Sequence, residues 1–213
     1  MPVLLPRKQV LIGVPENEII TVVTGLPRSG TSLMMQMLQA GGMEIFTDGG
    51  RAPDKSNPQG YFEHEKVAGL LRQDDPSWMI PARGKVVKVV APLLTSLPFR
   101  LVDGIGKQSY RVIFMERAMD EILRSQATML AGDSSVAHGP TDIGKVYQQE
   151  LRDARAWLAQ LGIPALEVDY ARLVAEPQEV ADEVARFLDN GVSAKSLAAS
   201  VRPELYRTRR ENL

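Results

Sequence analysis

Residues 19–38 read IITVVTGLPRSGTSLMMQML. The run Ile19–Leu26 is β-branched and apolar, and Gly25 and Pro27 close it, the pattern of a strand buried on both faces of a parallel sheet. After the turn, Leu33, Met34, Met37 and Leu38 recur at helical spacing until Gly41 and Gly42 stop the helix. A glycine-punctuated turn between a buried strand and a helix is the setting in which backbone N–H groups cradle a phosphate. The ordinary loop of this kind reads G-x-x-x-x-G-K-[ST]. Here Gly25 and Gly30 hold the glycine places and Ser32 the last, but Thr31 stands where the lysine belongs.

That substitution constrains the ligand. The loop lysine normally reaches the β- and γ-phosphates of a nucleotide, so its absence argues against a nucleoside triphosphate. Arg28 puts a cation inside the loop instead, and its planar fork suits paired phosphate or sulfate oxygens. Thr31 and Ser32 add hydroxyl donors to the backbone of residues 27–32. No acidic residue closes the first or second candidate strand, where an aspartate would hold magnesium. The loop reads as a site for a metal-free anion with a 5′-phosphate and one further group.

Outward from the loop, the pattern alternates. Residues 47–62, TDGGRAPDKSNPQGYF, read as a long polar loop, and EHEKVAGLLRQ after it as a helix. GKVVKVVAP reads as a second strand. YRVIFMER is a third, and the helix MDEILRSQATML follows it. TDIGKVYQQELRDARAWLAQLG is a long amphipathic helix with Thr141 as its expected N-cap. PALEVDY reads as a fourth strand, and PQEVADEVARFLDN as a helix opening at Pro177. Strands alternating with helices predict an α/β fold with a central parallel sheet in three α/β/α layers. Residues 1–213 are expected to form one domain.

Composition sets limits on function. With 25 basic and 26 acidic residues, the chain has no global field for nucleic acid. It has no cysteine, which excludes disulfides and thiolate chemistry, and its two histidines, His64 and His138, leave little for a histidine metal site. No run approaches a membrane span, and MPVLLPRKQVLIGVP does not read as a signal peptide, so the expectation is a cytoplasmic protein. A second feature lies in VIFMERAMDEILRSQ. Arg117 closes the third strand and Ser125 lies about two helical turns further on. Parallel strands put their C-terminal ends on one edge, so Arg117 is expected near the loop.

Together these pieces resemble the sulfotransferase family, whose donor is 3′-phosphoadenosine 5′-phosphosulfate (PAPS) and whose nucleotide product is PAP. LPRSGTSL is similar to the family's loop around the donor phosphosulfate. The resemblance implies that Arg28 fills the place of a lysine in many members, and that Pro27, Ser29, Gly30, Thr31 and Ser32 line the donor. It implies that Arg117 and Ser125 hold the 3′-phosphate and that Tyr170 contacts the adenine. The tail itself resembles nothing sharply, but members often use a basic C-terminal loop on the 3′-phosphate, which makes Arg207, with Arg209 and Arg210, a candidate for that contact. NPQGYFE and KVVAPLL look like elements of bacterial members. The implied partner is a small-molecule acceptor with a hydroxyl or amine.

One departure bears on catalysis. Cytosolic members carry a catalytic histidine two residues after a lysine and before a proline, whereas other members use a carboxylate. Here Lys88 keeps the lysine place, but Val90 holds that of the histidine. Lys88 is expected to stabilise the transferring sulfonate. The long loop offers Asp48, Glu63, His64 and Glu65 as the general base, with Glu63 favoured over Asp48 and His64 because it sits at an expected helix start. Two alternatives stay open: a P-loop kinase acting on a small molecule, and a non-catalytic PAP-binding protein of the same fold.

Overall fold

The computed structural model describes residues 11, 13–50, 60–72, 77–98, 108–131 and 143–202. In chain order the elements are β1 (Ile19–Gly25), α1 (Thr31–Ala40), α2 (Glu65–Ala68), β2 (Val86–Lys88), α3 (Ala91–Leu94), β3 (Ser109–Glu116), α4 (Met119–Ala131), α5 (Ile143–Leu161), β4 (Ala165–Asp169), α6 (Tyr170–Ala175), α7 (Pro177–Leu188) and α8 (Ala194–Ala199). The strands form one parallel sheet in the order β2-β1-β3-β4. The register sets Val23 beside Lys88, Gly25 beside Met115 and Glu116 beside Asp169, so all four C-terminal strand ends meet on one edge.

Alternation along the strands divides the core in two. Ile20, Val22, Tyr110, Val112 and Phe114 face Leu94 of α3 and Ala154 and Leu158 of α5. Val23, Ile113, Met115 and Val168 face Met34 and Leu38 of α1, Val180 and Val184 of α7, and Leu197 of α8. Helices on both faces of a parallel sheet give the three-layer α/β fold. Each buried aliphatic side chain contributes about 1.5–3 kcal/mol. At the opposite edge of the sheet, buried Arg111 donates to Thr21 Oγ1 (2.8 Å) and to the Leu188 carbonyl (2.5 Å), tying β1, β3 and the end of α7 together.

Three local expectations are revised. The stretch 63–73 is not one helix: Gly69 ends α2, and Leu70–Arg72 is a separate 3₁₀ turn. Tyr170 does not end β4 but opens α6, because the Asp169 carboxylate accepts the Arg172 N–H at 2.7 Å and so caps a helix there. Glu63 lies before the first helical residue, with His64 as the N-cap of α2. Thr141, His138, residues 51–59 and the tail arginines Arg207, Arg209 and Arg210 lie outside the described residues.

Candidate functional site: an anion cradle with two cationic poles

The turn from β1 to α1 is made by left-handed backbone. Arg28 has φ 71° and Gly30 has φ 100°. Gly30 is also the N-cap of α1, so no side chain caps that helix. The first-turn N–H groups of α1 have no intrahelical acceptor and carry the positive end of the helix dipole. The glycine is required: a Cβ there would lie 2.3 Å from Tyr170 Cδ2. Ser29 is turned inward. Its N–H donates to the Leu26 carbonyl (3.1 Å), and its hydroxyl is buried with no partner among the described residues.

One cationic pole rises from the end of β2. The Lys88 side chain is only 5% exposed, and its ammonium donates to Ser32 Oγ (3.2 Å), the Tyr61 carbonyl (2.9 Å) and Glu63 Oε1 (3.1 Å). A buried ammonium needs such acceptors to offset desolvation. Phe62, at φ 54°, turns the chain between the two acceptors from the loop. The Thr47 hydroxyl donates to the Glu63 carbonyl (2.6 Å), which fixes the backbone from the other side.

The other pole is built of arginines. Arg28 Nε donates to Ser125 Oγ at 3.0 Å. Arg117 Nη1 donates to the Arg28 carbonyl (3.0 Å), its Nε donates to Glu121 Oε2 (2.8 Å), and its guanidinium stacks on the Tyr170 ring at 4.5 Å. Glu121 and Ser125 are one turn apart on α4, which puts both on the face turned to the loop. Tyr170, 9% exposed, is wedged between Gly30 and Arg117.

Beside Lys88 opens a cavity of about 390 Å³, lined among others by Asp48, Glu63, His64, Val90 and Leu93. The Asp48 carboxylate accepts the N–H of Glu65 (2.6 Å) and of Gly50 (2.9 Å). These bonds, that of Glu65 first, hold its pKa below the ordinary carboxylate value. His64 accepts the Lys66 N–H at Nδ1 (3.3 Å). Its ring stacks on Phe46 with centroids 4.6 Å apart.

The structure therefore gathers Arg28, Gly30, Thr31, Ser32, Lys88, Glu63, Arg117, Ser125 and Tyr170 at one sheet edge, with Pro27 leading into the turn. Asp48 and His64 stand on the cavity wall with their acceptor atoms engaged. Three participants escaped the sequence reading. Glu121 was signalled by its place midway between Arg117 and Ser125. Tyr61 takes part through its carbonyl, which no side-chain pattern reports. Thr47 needed the loop's folded path. Among the described residues, no group of three or more His, Asp or Glu is arranged to hold a metal ion, and no helix is long and apolar enough to cross a membrane.

No protein-family model matches the chain, and no curated protein matches it. Among solved structures, the chain is similar to a sulfotransferase domain from the curacin biosynthetic pathway, at 16% identity and TM-score 0.48, over 86% of this chain and 77% of that one. It is also similar to a sugar kinase from Janibacter sp., at 15% identity and TM-score 0.41, over 83% of this chain and 96% of that one. The functional reading rests on the site's own geometry.

Proposed function

We propose that the chain is a single-domain sulfotransferase that moves a sulfonate from PAPS to a hydroxyl or amine of a small acceptor. The observation that carries the reading is the pair of cationic poles flanking an uncapped helix N-terminus. Lys88 lies on Ser32 at one side, and Arg28 lies on Ser125 at the other. PAPS has two anionic ends separated by a ribose, and two poles suit it better than a triphosphate chain.

In this reading the amides of the first turn of α1, with Thr31 and Ser32, hold the 5′-phosphate. Arg28, Arg117 and Ser125 hold the 3′-phosphate. When bound, the donor supplies the sulfonate: a bond from the acceptor atom to sulfur forms as the bond from sulfur to the 5′-phosphate oxygen breaks. Lys88 offsets charge on the sulfonyl oxygens, and the first-turn amides of α1 offset it on the leaving 5′-phosphate. Glu63, beside Lys88 on the cavity wall, takes the acceptor's proton. Glu63 is also engaged, through Oε1 with the Lys88 ammonium. That contact sets it beside the cation that meets the sulfonate, which favours it over Asp48, whose two oxygens accept backbone N–H groups, and over His64, whose Nδ1 is occupied.

The test is transfer of label from sulfur-labelled PAPS onto pools of small alcohols and amines. Labelled product that depends on Lys88 supports the reading. PAP binding without transfer to any pool would favour the non-catalytic alternative, and magnesium-dependent phosphate transfer from ATP would favour the kinase.

A further inference from the structure

The chemistry above makes no use of Glu121, yet this carboxylate is among the most deeply buried charges in the described chain. The Arg117 and Glu121 side chains are 7% and 4% exposed and meet at 2.8 Å. A buried pair of this kind is weak evidence for stability, since apolar residues often serve as well. Its geometry suggests another use. Arg117 grips the carbonyl of Arg28, the one non-glycine residue of the loop with left-handed backbone. That conformation costs an arginine free energy unless its surroundings hold it. The side chain of Arg28 then reaches back to Ser125, one turn beyond Glu121 on α4. The path closes on itself: Glu121 holds Arg117, Arg117 holds the Arg28 backbone, and the Arg28 side chain returns to α4.

We propose that Glu121 is a positioning residue for recognition of the 3′-phosphate. It sets Arg117, and through Arg117 the left-handed turn at Arg28, so that the Arg28 guanidinium stands ready beside Ser125 while Arg117 is held against the Arg28 carbonyl. This rests on the sulfotransferase reading, in which those three residues meet the 3′-phosphate. Tyr170 completes the support by backing the flat face of Arg117.

The experiment compares PAP with AMP, which differ only in the 3′-phosphate, by calorimetric titration of wild type and Glu121→Gln. Gln keeps the shape and removes the charge. The preference for PAP over AMP should fall roughly 10- to 100-fold in Glu121→Gln, the size expected when charge-assisted contacts are lost, while AMP affinity changes little. Glu121→Asp keeps the charge and should recover part of the preference. If Glu121→Gln does not fold, Glu121→Asp against wild type carries the same comparison, with a smaller loss expected. A lowered melting temperature with the PAP-to-AMP ratio unchanged would overturn the proposal and leave Glu121 a structural ion pair. Wild-type protein that binds neither nucleotide would overturn the functional reading itself, a separate failure.

Discussion

Lys88 is a charge that water scarcely reaches, and its three acceptors come from three segments: the first turn of α1, the backbone at Tyr61 and the side chain of Glu63. Removing the ammonium leaves the Glu63 side chain, 39% exposed, within reach of water. Lys88→Met should therefore fold, and its loss should appear in chemistry. Turnover should drop by about 10²–10³-fold, the usual cost of one preorganised donor at a developing charge, with PAP affinity little changed. Steady-state kinetics with the acceptor found by label transfer measures this, and an unchanged kcat would remove Lys88 from the chemistry. Glu63→Gln should lower turnover by roughly 10²–10⁴-fold. Full turnover in that variant would move the base elsewhere on the cavity wall. Gly30 gives a third test at this scale. Gly30→Ala meets both a positive φ and Tyr170 Cδ2 at 2.3 Å. It should cost roughly 1–3 kcal/mol in thermal melting and abolish nucleotide binding. Native-like melting with intact binding would mean that the turn tolerates a side chain.

At the scale of elements, the loop that carries Thr47 and Asp48 is clipped to the start of α2 by the Glu65 N–H bond to the Asp48 carboxylate, and the Gly50 N–H bond to the same carboxylate folds the loop on itself. The Asp48 pKa is lowered from 3.8 by those bonds. A carboxyl group whose pKa is lower folded than unfolded adds stability above its unfolded pKa, and that contribution disappears as pH falls through the folded value. The stability difference between wild type and Asp48→Asn should be constant near neutrality and shrink below about pH 4. Melting curves from pH 7 to pH 2.5 test it, and a difference growing toward low pH would contradict it. The same loop shows where the sequence stops being legible. The strand–turn–helix at Gly25–Ser32 could be read because glycine positions and apolar periodicity are local signals. The Arg117–Ser125 spacing could be read for the same reason. The contact of Glu63 with Lys88 could not: it joins two segments through the loop's path, and Glu63 is fixed by that contact and by Thr47, not by the helix start that its position suggested. Tyr170 was expected near the donor, but its packing on Gly30 depends on where Asp169 turns strand into helix.

For the whole molecule, the parallel sheet decides where function sits. With β1 central between β2 and β3, the loop after β1 has Lys88 of β2 on one side and Arg117 after β3 on the other. The two cationic poles follow from strand order, and in the proposed reading a nucleotide with two separate anionic ends meets one pole at each end. The measurement that tests this most directly is thermal melting with PAP and with ATP, each with chelator and with added magnesium. At 100 times its Kd, PAP should add about 2.7 kcal/mol, a rise of roughly 5–10 °C for a chain of this size, and the shift should be the same with chelator present. ATP should shift the transition weakly under either condition. A large ATP shift that requires magnesium, with none from PAP, would contradict the account.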